Sequence, residues 1–266
     1  FGSIWSPRIG LSYKVSNGKN IFTSVSKGFS VPAVAETLTP EGQINTTLKP
    51  EIGVNYEIGF KGNWLRNKLY TEFIFYNTQI TNLLVARRTA DDQYVGINAG
   101  SSSHTGIEFV LNYQLLDDKP FQITPYISGA VNNFKFKEFI DNNVDYSGNQ
   151  LTGVPENQLN FGLDLITKYG FSVNTSFRTM AKIPLNDSNT KYSEGYSLLD
   201  IKTTYAFIIL KVLKTELNAG INNALNTNYA ANILPNAVGF GSAAPRYFYP
   251  GNPINYYGGL SVAYLF

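Results

Sequence analysis

The sequence predicts an all-β chain: an antiparallel transmembrane β-barrel wall of about eleven strands, half of a 22-stranded barrel. Three observations predict it. Apolar and polar residues alternate at the period of a strand, with the charges confined to one parity. Short and long connections alternate along the chain. No apolar run approaches the roughly 20 residues that a membrane-spanning helix needs.

The first strand, 7–16, sets Ile9, Leu11, Tyr13 and Val15 against Arg8, Ser12 and Lys14. Asn17-Gly18 then signals a tight hairpin, since both central positions of a type I′ turn need positive φ. The second strand, 20–30, has no clear face, because Phe22 and Val25 fall on opposite parities. In 50–62, Val54, Tyr56, Ile58 and Phe60 oppose Glu51, Asn55, Glu57 and Lys61. In 67–80, Leu69, Phe73 and Phe75 oppose Lys68, Glu72 and Tyr76. In 103–115, Ile107, Phe109, Leu111 and Tyr113 oppose Glu108 and Asn112, and a strand over 121–134 follows. Leu159, Phe161, Leu163 and Leu165 oppose Asn160 and Asp164 in 158–167. Phe171, Val173 and Phe177 oppose Asn174, Ser176 and Arg178 in 170–181. Leu199, Ile201, Tyr205 and Phe207 oppose Asp200 and Lys202 in 196–208. Leu213, Leu217, Ala219 and Ile221 oppose Lys214, Glu216 and Asn218 in 212–223, and 254–266 is the last strand.

A soluble sandwich also alternates, but its apolar faces must meet in a core. Here the polar faces are the charged and crowded ones, as expected of lipid outside and a polar lumen inside. The connections at 16–19, 63–66, 116–120, 168–169 and 209–211 are short; those at 31–49, 81–102, 135–157, 182–195 and 224–253 are long. Short turns on the periplasmic side and long loops outside describe an outer-membrane barrel. The first and last strands then run in the same direction, so the strand count is odd. Single-chain bacterial barrels normally have an even number, and open edges in hydrocarbon leave backbone groups unpaired. The expectation is that 1–266 is the C-terminal part of a larger barrel, with a plug domain and N-terminal strands belonging to the full-length protein. The chain alone should not make a stable closed barrel.

The composition adds bounds. The chain has 266 residues, no Cys and one His. The slightly negative mean hydropathy suits a wall in which only alternate residues meet lipid. Tyr and Phe, 18 each, suit interfacial aromatic girdles. A net charge of +2 without a basic cluster points away from nucleic acid. Absent Cys removes disulfides, thiolate metal sites and Cys nucleophiles. No cofactor, catalytic group or metal site is expected. His104 has no second His to share a metal, and its parity with Glu108 points it into the lumen, where a polar wall residue is the plain reading and a plug contact or a haem or metal ligand the alternative.

Several segments resemble the TonB-dependent receptor family: Ser6-Pro7-Arg8-Ile9-Gly10; Ser26-Lys27-Gly28-Phe29-Ser30-Val31-Pro32 with Glu36; Leu48-Lys49-Pro50-Glu51 with Asn55-Tyr56-Glu57; Asn98-Ala99-Gly100 with Gly106-Ile107-Glu108; and Asn222-Asn223-Ala224-Leu225-Asn226 with Tyr229. The resemblance covers essentially the whole chain, as the C-terminal half of such a barrel. It implies a receptor in the outer membrane of a Gram-negative bacterium that is energised through TonB, with outer-membrane lipid, the plug, the remaining strands, the TonB complex and the barrel-assembly machinery as partners. Leu260, Val262, Tyr264 and Phe266 share a face. A final strand ending in an aromatic resembles the signal read by the assembly machinery, which makes Tyr264 and Phe266 candidates for that role; an ordinary last strand is the plain alternative.

Specificity on such a scaffold belongs to the loops. Arg87-Arg88, ahead of Asp91-Asp92, is either a solvated loop tip or a cationic pair suited to fork-like carboxylate recognition. Pro245-Arg246-Tyr247-Phe248-Tyr249-Pro250-Gly251 is an interfacial girdle, a loop packed on itself, or an aromatic pocket with a cation. Arg87, Arg88, Arg246, Tyr247 and Tyr249 are the candidate ligand-binding residues. The resemblance favours a ferric siderophore as ligand. Haem, cobalamin or an oligosaccharide, a passive porin, and a structural or adhesive barrel are the alternatives. A plug and TonB-contacting segment upstream would separate transporter from porin.

Overall fold

The computed structural model describes residues 2–39, 42–88, 94–98, 100–118, 120–141, 143–239 and 242–265. In chain order the elements are β1 (Arg8–Ser16), β2 (Lys19–Ser30), a single helical turn α1 (Val34–Thr37), β3 (Glu51–Trp64), β4 (Leu69–Thr81), β5 (Leu84–Arg88) and β6 (Tyr94–Asn98). Then come β7 (Ser101–Tyr113), β8 (Leu116–Asp118), β9 (Phe121–Glu138), β10 (Ile140–Asp141), β11 (Val144–Asp145), β12 (Asn157–Thr167) and β13 (Phe171–Met180). The last are β14 (Tyr196–Ile209), β15 (Leu213–Asn222), β16 (Ala230–Ile233), β17 (Phe248–Pro250) and β18 (Asn255–Tyr264).

The long strands form one antiparallel wall in the order β1-β2-β3-β4-β7-β9-β12-β13-β14-β15-β18, with β8 completing one end beside β9. These are the strands that the alternation predicts. The long connections hold more structure than expected: the hairpins β5–β6, β10–β11 and β16–β17 pair only within themselves, and α1 interrupts the first long loop.

Register settles the faces. Tyr13 pairs with Ile21, Ile21 with Phe60, Phe60 with Phe73, Phe73 with Phe109, Phe109 with Gly129, Gly129 with Leu159, Leu159 with Thr179, and Thr179 with Ser197. This row starts near the Asn17-Gly18 turn and ends beside the long loop before β14. The strands are therefore staggered in one sense across the wall, as the tilted strands of a barrel require. The apolar face has no protein to cover it: Leu11 is 71% exposed, Ile58 54% and Leu260 65%. The ambiguous β2 resolves here. Val25 pairs with Tyr56 on the apolar face, while Phe22 points the other way and lies over Gly59. Lys19, the first residue of β2, and Lys27 share Val25's parity.

The polar face is a hydrogen-bonded mosaic. Glu57 accepts from Ser24 at 3.0 Å and from Asn55 at 2.7 Å, and Thr78 donates to Asn55. Tyr76 donates to Asn132 at 2.9 Å. Arg178 and Asp200 form an ion pair at 2.9 Å. Four aromatic rings on this face lie across glycines directly opposite in register: Phe22 on Gly59, Tyr76 on Gly106, Tyr126 on Gly162, and Tyr257 on Gly220. A side chain at any of these glycines would collide with its ring.

The buried apolar cluster described, Leu83, Phe136 and Phe139 with Ile80, Val85, Tyr146 and Leu151 against it, sits at the long-loop end rather than mid-wall. The wall itself needs no such core if lipid covers it.

Candidate functional site

The long loops interlock into a collar along one end of the wall, and the motifs singled out in the sequence turn out to be its joints. Asn98 donates to the carbonyls of Lys49 and Asn82 and accepts from the Lys49 amide at 2.8 Å. Glu51 accepts from the Leu84 amide at 3.1 Å. The Leu-Lys-Pro-Glu and Asn-Ala-Gly segments are thus two halves of one junction between the first two long loops. Gly100, at φ 71°, lies against the Glu138 carbonyl so closely that a Cβ would stand 1.7 Å from the oxygen. Glu36 folds back to accept from the Ala33 amide, and its carbonyl abuts Gly96, so α1 packs on β6.

The third and fourth long loops are joined by polar contacts. Asn149 donates to the Asp187 carbonyl at 2.8 Å, the Gln150 amide to Asn189 at 2.7 Å, and Tyr192 to Gln150 at 3.2 Å. Thr152 donates to the Asp187 carboxylate. The fourth and fifth loops meet where Asp187 and Asn236 bind each other, and the Asn236 amide donates to the Leu185 carbonyl at 2.8 Å. The base of the fifth loop is closed by Asn223, which is 3% exposed. Its side chain donates to the carbonyls of Thr227 and Asn252 and accepts from the Thr227 amide, while its own amide donates to Asp200. The Asn222-Asn223 motif is therefore a loop clasp tied through Asp200 to Arg178.

Arg246, Tyr247 and Tyr249 share one arm of this fifth loop. Arg246 is exposed. Tyr247 is half-buried; its carbonyl accepts from Leu234, and Lys191 Nζ lies 5.4 Å from its ring centroid. Tyr249 is 56% exposed and pairs with Asn232 in the β16–β17 hairpin. Arg87 and Arg88 are on a different hairpin, opposite Val95 and Tyr94. That hairpin rises between β4 and β7, far along the strand order from β15 and β18. Lys191 is the residue that the sequence reading missed; it comes from another loop, where no periodicity signals it. Tyr264, 58% exposed on β18, pairs with Leu213. Phe266 and Asp91-Asp92 lie outside the described residues. His104 stacks on Phe134 at 4.5 Å and lies 3.0 Å from Ser102 Oγ through Nε2. Among the described residues no group of three His, Cys, Asp or Glu side chains could hold a metal.

A staggered antiparallel wall with one exposed apolar face, one polar face and one end built up by interlocked loops has the architecture of an outer-membrane barrel. The chain belongs to the TonB-dependent receptor family, whose beta-barrel model matches residues 1–224. That family sits in the Gram-negative outer membrane, and its relatives here are transport receptors. The ferric-pyoverdine M114 receptor PbuA of Pseudomonas sp. (strain M114) is 29% identical over 86 residues, which are 31% of this chain and 10% of that protein. The ferric citrate transporter FecA, unliganded, superposes with a TM-score of 0.73 at 18% identity, over 97% of this chain and 38% of FecA. The siderophore receptor PiuA of Acinetobacter baumannii gives 0.68 at 20% identity, over 97% and 35%. The ferric yersiniabactin uptake receptor FyuA of Yersinia pestis gives 0.69 at 16%, over 97% and 37%. At these identities the structural likeness shows the fold. The chain spans little more than a third of the length of these solved receptors.

Proposed function

We propose that residues 1–266 form the C-terminal part of the barrel of an outer-membrane receptor that takes up a ferric siderophore, energised through TonB. In the full-length protein a plug domain and further strands complete it, the TonB complex drives it and the barrel-assembly machinery inserts it. The observation that carries this reading is the loop collar on a family-matched wall. On this reading its cations and aromatic rings stand above a polar lumen, and it binds rather than reacts. Arg246 meets the negative charge of a chelate, and Tyr247 and Tyr249 offer rings to its flat surface. Arg87 and Arg88, from another loop, join them at the mouth.

The test is uptake of radioactive iron by cells carrying the full-length receptor, with and without TonB, using carboxylate and catecholate chelates beside haem and cobalamin. Uptake of one ferric chelate that disappears without TonB supports the reading. Uptake indifferent to TonB marks a passive pore, and uptake of haem or cobalamin alone reassigns the ligand.

A further inference from the structure

The apolar face is not uniform. Near the short turns it carries an apolar groove of about 470 Å³, lined by Leu65, Leu69, Leu111, Tyr113, Ile127 and Phe161. A break in the wall accompanies it. β7 pairs with β9 as far as Asn112 and Tyr126, and pairing resumes through β8 at Leu116 and Ile123. Tyr113, Gln114 and Leu115 therefore stand opposite only Thr124 and Pro125, a bulge where Pro has no amide to give.

The turn beside the groove is strained. Leu65, Arg66 and Asn67 hold φ of 51°, 58° and 68°, a region that side chains with a Cβ seldom occupy. Leu65 is exposed and lines the groove, and Arg66 and Lys68, its neighbours along the same turn, are exposed. Lys19, on the apolar parity of β2, stacks over Trp64 at 3.7 Å along the same rim. Asp117 and Asp118 are on β8, whose backbone pairs with β9. Leu210 and Lys211 repeat the apolar-basic pair at positive φ in the β14–β15 turn, but without a groove described beside them.

We propose that the groove and the β3–β4 turn bind one anionic glycerophospholipid of the inner leaflet. An acyl chain lies against Leu111, Ile127 and Phe161, and the phosphate meets Arg66 and Lys68. Arg suits phosphate through its fork of donors, and Lys supplies a point charge. The inference rests on the membrane orientation proposed above, with short turns facing the periplasm.

The experiment uses the full-length receptor, delipidated in mild detergent and offered phosphatidylglycerol and phosphatidylethanolamine in equal amounts, with bound lipid counted by native mass spectrometry. Each cation near an anionic lipid contributes on the order of five-fold, so the parent should retain phosphatidylglycerol in preference by at least that factor. R66Q/K68Q should abolish the preference while still holding lipid; L111W, which fills the groove, should lose retained lipid; K211Q, at the turn without the groove, should behave as the parent. No preference in the parent, or a preference that survives R66Q/K68Q, overturns the proposal. Iron uptake measured on the same variants separates this from failure of the transporter reading, because lipid preference can vanish while uptake stands.

Discussion

Asp187 and Asn236 hydrogen-bond to each other in both directions: the Asp187 amide donates to Asn236 Oδ1 at 3.1 Å, and Asn236 Nδ2 donates to Asp187 Oδ2 at 3.0 Å. Two loops separated by β14 and β15 are thereby held as one piece. Asn236→Ala removes both side-chain contacts, at a local cost of about 1–2 kcal/mol. The expected result is faster limited proteolysis within 223–254 and an unchanged barrel. Cleavage at the parent rate would mean that the other contacts suffice to hold the loop.

Tyr126 and Gly162 provide a packing test. A Cβ at Gly162 would stand 2.0 Å from Tyr126 Cζ, so Gly162→Val must push the ring off the wall. Overpacking of this kind costs about 1–3 kcal/mol. The full-length receptor should lose its heat-resistant migration at lower temperature. Tyr126→Ala in the same chain should recover part of the loss, and purely additive effects would show that the pair is not coupled.

The two faces should differ in their tolerance of charge. Phe161→Arg or Leu163→Arg, on the exposed apolar face, should cost about 2–4 kcal/mol near the midplane, read from the denaturant midpoint of the inserted barrel. Asn160→Arg, on the polar face, should be milder. Equal effects at Phe161 and Asn160 would sink the assignment of faces.

Arg246→Ala with Tyr247→Ala should reduce binding and uptake of the cognate ferric chelate several-fold, leaving folded receptor abundance unchanged. Tyr247 also stacks near Lys191, so Lys191→Gln should give a smaller loss in the same direction. Unaltered binding to whole cells would remove this arm of the loop from the site.

Deleting Phe266 from the full-length protein should lower the amount of folded receptor in the outer membrane without changing uptake per folded molecule. The opposite outcome, normal abundance with reduced uptake, would give the residue a transport role.

Strands were legible because a lipid-facing wall imposes a strict period of two over ten or more residues, as in Leu213–Asn222. Phe22 defeated the pattern because its partner Gly59 leaves space for a ring on the polar face, a pairing visible only across strands. The collar was legible as motifs but not as contacts. Asn98, Asn189, Asn223 and Asn236 act through side-chain hydrogen bonds to distant backbone, and such bonds have no sequence period. The β5–β6 and β16–β17 hairpins were missed for a related reason: neither joins the wall, so neither carries its alternation.

The glycines beneath Phe22, Tyr76, Tyr126 and Tyr257 have a consequence for room inside the completed barrel. Each lets a tall ring lie down along the wall instead of standing out from it. The inner surface keeps its aromatic area yet gains clearance at four strand pairs, three of them side by side from β2 to β12. A folded domain seated in the lumen, or a chelate passing beside it, would slide along flat rings rather than thread between upright ones.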